Sequence, residues 1–404
     1  VADGPARAGE KALESRLELA LLGASILLLA LNLRPAITGL PPIFPELRGQ
    51  LGLSSGLLAF LAAVPLLCFA LASPLAARLS GHFGEARVLA GALAGLAIAL
   101  LLRAAFPSIL LFPATVAAAT AITALNVLVP SLVKRRHPRF AGVLLGEYLF
   151  ALYIGGTVGS LVAVPLYRSS GHSLLVTLGI WTVLALLGFI CWLPQMRGRR
   201  EPAVSVLGDS PRASSMYHSA LGWQISLYFG LQSMGYYASI SWLPSFYRAR
   251  GASATHAGFL ASMLGIGGLI TALVVPIVAQ RLSDQRILGI PIVFVGVAGL
   301  LGALFAPLSS QVLWTALLGL GQGASLGLAT YLFVARARSP VGAASLSAMS
   351  QTVGYVFAAA GPLAVGLLHS ATGAWKLSLG LLFPVLGLQL IVGWLAGRPA
   401  VIGG

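Results

Sequence analysis

Charge is what this chain of 404 residues has least of. Asp, Glu, Lys and Arg make up 9% of it, against roughly a quarter of an ordinary soluble domain. Long polar stretches are missing too. The longest, "MRGRREPAVSVLGDSPRASSMY" over 196–217, reads as a linker. No soluble catalytic or nucleic-acid-binding domain fits into what remains, so the net charge of +15 does not point to a nucleic-acid partner. Cysteine is limited to Cys68 and Cys191, both inside apolar runs, which excludes a disulfide framework and leaves them as small buried apolar side chains. The six histidines show no metal-ligand spacing, and no Gly-Lys-Ser/Thr loop is present to cradle phosphates. The sequence therefore predicts no enzyme, no cofactor and no metal.

What is abundant is apolar sequence, 58% of the chain. Runs of about 20 residues suffice to cross a bilayer as helices. Twelve are expected, over 19–45, 56–77, 86–105, 107–132, 140–166, 173–195, 219–247, 254–279, 287–307, 310–334, 341–369 and 373–396. They are too long for barrel strands, and their Gly and Ala suit close helix contacts in lipid. The fold class expected is an all-α membrane protein. Placing the amino terminus in the cytoplasm puts 18 of the 25 Lys and Arg on the inner side and six, Arg103 among them, on the outer side. That asymmetry is the positive-inside signature. It predicts a multi-pass inner-membrane protein with both termini cytoplasmic and the lipid bilayer as its main surroundings. One cation, Arg34, is left in the membrane.

A repeat runs through the chain at one offset. Arg78-Leu79-Ser80 recurs as Arg281-Leu282-Ser283, and Leu40-Pro41 as Leu243-Pro244, both 203 residues on. Half the chain per copy, with an even number of helices in each, describes two six-helix bundles related by a parallel repeat. The expected organisation is a tail over 1–18, one bundle over 19–195, the linker over 196–217, a second bundle over 218–397 and a tail over 398–404.

Ionisable groups within the hydrocarbon cost at least about 2.5 kcal/mol and default to function. Arg34 and Glu147 qualify, and the repeat reproduces neither, substituting Tyr237 and Ser350. Three readings of Arg34 stay open: a fork of donors for an anionic or strongly polar cargo, a structural partner of Glu147 or of carbonyls freed by Pro35, and a snorkelling cation. Glu147 reads either as a proton-coupling carboxyl or as half of a static ion pair. Around them, Asn32, Asn126, Tyr148, Tyr153, Gln232, Tyr236, Tyr237, Trp242, Gln322, Tyr331, Gln351 and Tyr355 supply the polar and aromatic groups that a small-molecule site in a central cavity needs.

"NLRPAITGLPP" in span 1, "LQSMGYYASISWLPSFY" in span 7 and "MSQTVGYVFAAAGPLAVGLLHSATGAWKLSL" across spans 11 and 12 resemble the cyanate and 2-nitroimidazole transporter family of the major facilitator superfamily. The resemblance runs over essentially all twelve spans. It implies a midplane site between the bundles, alternating access, and a small anion or polar heterocycle as cargo. By position, Asn32 and Arg34 match the family's first motif, Tyr236 and Trp242 its second, and Gln351 and Tyr355 its third; Glu147 stands where a neutral residue is usual. The reading that follows is a monomeric, proton-coupled secondary transporter of a small anionic or polar solute. Proton-driven efflux of a drug-like heterocycle or cation is the alternative within transport, and a non-transporting receptor or scaffold is the alternative outside it.

Overall fold

A computed structural model describes residues 21–136, 140–197 and 216–402. The tail expected over 1–18 and most of the linker expected over 196–217 lie outside the described residues. Those described form twelve long helical segments and no strand. α1 (Leu21–Leu51) is interrupted, and α2 (Ser55–Phe83), α3 (Glu85–Ala105), α4 (Pro107–Arg136), α5 (Ala141–Ser169) and α6 (Leu174–Trp192) follow it. α7 (Ala220–Ala249), α8 (Ala254–Ala279), α9 (Arg286–Phe305), α10 (Gln311–Ala335), α11 (Pro340–Thr372) and α12 (Trp375–Ala396) complete the order. Five of them, α2, α6, α7, α8 and α11, begin on a serine whose side chain accepts from a backbone N–H three residues on. Each such cap satisfies one orphan donor at a helix start.

Eleven of these segments are apolar and long enough to cross a membrane. α7 falls outside that set, carrying Gln224, Gln232, five serines and four tyrosines among its 30 residues. It is also the helix with the most inward surface, 21 of the 30 being buried. Polar side chains in a membrane bundle turn inward, where they find partners. The low hydropathy of α7 thus marks a central helix, not a helix outside the membrane.

The neighbours repeat from half to half. In the first, α1 packs on α5, α2 on α4, and α3 on both α4 and α6; in the second, α7 packs on α11, α8 on α10, and α9 on both α10 and α12. Pro41–Ile43 of α1 touches α7 and α8 across the halves, and the most extensive pairs that join them are α2 with α11 and α5 with α8. Advancing six helices turns one of these pairs into the other, as a two-fold axis along the membrane normal requires.

The named contacts between halves run from mid-depth to the end that carries the α1–α2 and α7–α8 loops. There Phe44 packs on Trp242 with ring centroids 5.6 Å apart, Arg248 pairs with Glu46 at 2.8 Å, and Arg168 donates to Thr255 at 3.3 Å. Deeper in, Phe69 meets Tyr355 edge-on at 5.3 Å. Two expectations need correcting. Arg103, placed outside on sequence, ends α3 inside the protein at 1% exposure and donates to the Ala36 carbonyl at 3.0 Å. Cys191 is exposed on the bundle surface, not buried, although both cysteines are free as expected.

Candidate functional site

The site begins with a proline. Pro35 has no N–H to give the Leu31 carbonyl, and it disfavours helical geometry in the residue before it. α1 accordingly breaks after residue 31 and restarts as the short turn Pro35–Thr38, with Arg34 as the residue before the turn at φ −119°, ψ −38°. Neighbours hold the break open. Thr38 donates to the Arg34 carbonyl at 3.1 Å and to the Gly156 carbonyl of α5 at 2.8 Å, while Ser160 donates to the Thr38 carbonyl at 3.1 Å. Arg103 supplies the Ala36 carbonyl from the other side. α5 can approach this closely because it presents glycine: a Cβ on Gly155 would stand 2.7 Å from the Leu31 carbonyl oxygen, and one on Gly159 would stand 2.7 Å from the Pro35 Cα.

The break turns Arg34 into a cavity of about 450 Å³, part of it continuous with solvent. Its lining is Arg34, Leu152, Tyr153, Gly156, Phe229, Gln232, Ser233, Tyr236, Tyr237, Leu326 and Tyr355, drawn from α1, α5, α7, α10 and α11. No carboxylate is among these residues. Arg34 donates to the Tyr237 hydroxyl, and its guanidinium carbon lies 5.4 Å from the centre of that ring. Tyr237 leans edge-on against Tyr236 at 5.2 Å, and Tyr355 against Phe229 at 5.5 Å, so the cation sits within an aromatic wall.

Arg34 and Tyr237 are 203 residues apart, the repeat offset itself. Two residues related by a two-fold axis touch one another only where they lie on that axis. Arg34 therefore stands at the centre of the interface between the halves.

Of the residues singled out in sequence, the structure brings Arg34, Tyr236, Tyr237 and Tyr355 together in this lining, with Tyr153 and Gln232 from the wider set. Others lie apart from it. Asn32 points from α1 to α6, donating to the Leu28 and Leu184 carbonyls at 2.8 and 3.1 Å. Asn126 accepts from Tyr148 at 2.8 Å. Trp242 donates to the Pro362 carbonyl at 2.9 Å and packs between Phe44 and Trp375. Gln322 backs the wall, its carbonyl accepting from Gln232 at 3.2 Å, and Gln351 donates to Ser347 on its own helix at 3.0 Å. Glu147 and Arg34 do not pair: a Glu147 carboxylate oxygen lies 3.3 Å from where a Cβ on Gly23 would stand, eleven residues or about 16 Å along α1 from Arg34. The lining also holds Leu152, Gly156, Phe229, Ser233 and Leu326. Of these only Gly156 carried a signal, in the small-residue run "IGGTVGS".

Two similar halves with a cation and a cavity on the axis between them fit a carrier that presents one site to the two faces of a membrane in turn. The chain belongs to the Major Facilitator Superfamily, whose family model matches residues 26–362. It is 35% identical to an uncharacterized transporter, YycB, of Bacillus subtilis, over 93% of both chains. It is 33% identical to the 2-nitroimidazole transporter of Escherichia coli, over 93% of this chain and 95% of that one. Identity to the cyanate transport protein CynX of the same organism is 29%, over 86% and 90%. A bacterial homologue of the human lysosomal transporter Spinster shares the fold at a TM-score of 0.77, with 16% identity over 95% of this chain and 97% of that one. The resemblance read from the three motifs thus extends over most of the chain. The protein is a secondary transporter working by alternating access, and not an enzyme.

Proposed function

We propose that the cargo is a small anionic or strongly polar solute held by Arg34. The observation that carries this reading is a guanidinium facing a cavity whose lining offers it only neutral partners. An anion supplies the missing counter-charge, and a planar oxyanion matches the fork of donors. Tyrosine hydroxyls, Gln232 and Ser233 supply further polar contacts, and the ring faces suit a flat solute. A cationic cargo finds no carboxylate in the lining. The names of relatives fit: two carry 2-nitroimidazole and cyanate, and a putative permease of Thauera aromatica, 40% identical over 86 residues, is named for anionic 4-hydroxy-benzoate.

The two six-helix units, over 19–195 and 218–397, rock against each other around the site at Arg34, joined by the linker over 196–217. The protein works as a monomer in the inner membrane with its tails, 1–18 and 398–404, in the cytoplasm. With that topology the contacts between halves lie on the outer side, and the described arrangement is inward-facing. Proton coupling through Glu147 acts without contact with the cargo, since the carboxyl lies beside Gly23 outside the lining.

Binding of cyanate, 4-hydroxybenzoate and 2-nitroimidazole to the purified protein, read as thermal stabilisation, tests the cargo class. At least one anion stabilises the wild type, and Arg34→Ala and Arg34→Lys lose that stabilisation. Equal stabilisation of wild type and both variants overturns the reading. For coupling, Glu147→Gln abolishes proton-driven accumulation in vesicles and spares counterflow exchange; accumulation that survives makes Glu147 structural.

A further inference from the structure

We propose that Tyr237 is the ligand which the empty carrier supplies to Arg34, and that cargo displaces its hydroxyl in every cycle. The proposal rests on the reading of Arg34 as the cargo site.

Arg34 belongs to the first half and Tyr237 to the second, so their hydrogen bond crosses the interface that alternating access must open and close. The bond lies on the two-fold axis between the halves, beside the fixed site around which they rock. Tyr237 itself is fixed, at 4% exposure in the middle of α7 with its ring against Tyr236. Its hydroxyl accepts from the cation, whose guanidinium carbon lies 5.4 Å from the ring centre. That oxygen occupies the place next to the guanidinium where an oxygen of an anionic cargo would bind.

A phenol is neutral, and a hydrogen bond between a cation and an anion is the stronger one. An anion therefore wins the guanidinium from the hydroxyl. Because the Tyr237 ring is held against Tyr236, the exchange is made by the Arg34 guanidinium, which turns from the hydroxyl to the anion. Two consequences follow. In the empty protein the buried cation keeps a partner, and the halves keep a bond at their centre, which supports return of the carrier without cargo. In the loaded protein that bond is exchanged for bonds to cargo, so Tyr237 lowers the apparent affinity by competing with it.

Tyr237→Phe removes the hydroxyl and keeps the ring, and Tyr237→Leu serves as a second variant lacking the hydroxyl. With cyanate and 4-hydroxybenzoate as probes, each variant binds about 2- to 10-fold more tightly than wild type, the factor set by one lost competing hydrogen bond. In vesicles, exchange of labelled probe persists while net flux into probe-free medium falls, because only net flux needs the empty carrier to return. Weaker binding, or net flux and exchange that fall together, overturns the proposal and makes Tyr237 an ordinary cargo contact. Arg34→Ala separates the two ideas. If it binds both probes as wild type does, the cargo reading fails and the proposal with it. If it loses them while Tyr237→Phe binds no more tightly, the cargo reading stands and the displacement fails.

Discussion

α1 and α7 occupy the same place in the two halves, yet one is broken and the other is continuous. At the shared offset, Ile37, Leu40 and Pro41 of α1 match Ile240, Leu243 and Pro244 of α7. Among the positions where they differ, two adjacent ones bear on the break. Arg34-Pro35 in α1 stands against Tyr237-Ala238 in α7, and α7 runs unbroken from Ala220 to Ala249. The supporting helices differ in step. α5 presents Gly155, Gly156 and Gly159 to the break, whereas α11 has Ala358, Ala359 and Pro362 at the matching positions. A duplicated scaffold thus became asymmetric where it binds, through a proline that breaks one helix, an arginine that the break aims inward, and glycines that make room for both. A symmetric pair of arginines on the axis would repel each other; one arginine against one tyrosine satisfies both.

Exchanging residues between the copies tests how much of this asymmetry each position carries. The largest effect belongs to Ala238→Pro, which writes the α1 proline into α7. There the ring loses the hydrogen bond to the Met234 carbonyl and meets the preceding turn, at a cost of about 3 kcal/mol or more. We expect a severe drop in thermal stability and yield. A variant as stable as wild type would mean that α7 tolerates the break and that the glycines of α5 are not what permits it.

Gly155→Ala imports the residue found in α11. Its Cβ would stand 2.7 Å from the Leu31 carbonyl oxygen, a backbone atom, so the two helices must shift apart. Overpacking of this kind costs about 1–3 kcal/mol. Stability falls by that amount, and anion binding weakens with it because the break carries Arg34. Unchanged binding in the destabilised variant would separate the groove from the site.

Pro35→Ala runs the exchange in the opposite direction and parts stability from function. It restores an N–H for the Leu31 carbonyl, so thermal stability holds or rises. Arg34 loses the backbone geometry that aims it at Tyr237, and probe affinity drops by about 10-fold, the loss of one charge-assisted hydrogen bond. Wild-type affinity in this variant would show that Thr38, Ser160 and Arg103 hold the break without help from the proline.

Much of this was legible in the sequence because bilayer thickness and the cost of buried charge leave few choices. Span lengths, the offset of 203 and the depth of Arg34 gave the helices, the duplication and the centre of the site. Even α7 could be placed, although it is the least apolar helix. Which face of a helix points inward was not legible. In spans that are apolar on all sides, periodicity says little, so Asn32, Trp242 and Gln351 looked equivalent to Tyr236 and Tyr355 until their partners on α6, α11 and their own helices were seen. Arg103 was misplaced for a related reason. A cation near the end of a span looks like a topology anchor, and its role shows only once the Ala36 carbonyl lies 3.0 Å away.

The smallest effect concerns the charges at the loop end, where the copies are again unlike. Glu46 matches Ala249 and Arg248 matches Pro45, so each half contributes one member of a pair that the other half lacks. Arg248 reaches both Glu46 oxygens, at 2.8 and 2.9 Å, with side chains 26% and 14% exposed. Pairs this open to water contribute about 0–1 kcal/mol. Glu46→Gln therefore leaves the fold and probe affinity intact and shifts the balance of closed and open forms at this end by no more than about 5-fold. In a background with Cys68 and Cys191 replaced by serine, Ser233→Cys reports that opening through its labelling by a membrane-impermeant thiol reagent applied from the loop side. Labelling quickens in Glu46→Gln. High salt, which screens exposed charges, quickens it in the wild type and leaves the variant unchanged. If salt acts equally on both, the pair does not hold this end closed, and the aromatic contact of Phe44 with Trp242 does so without it.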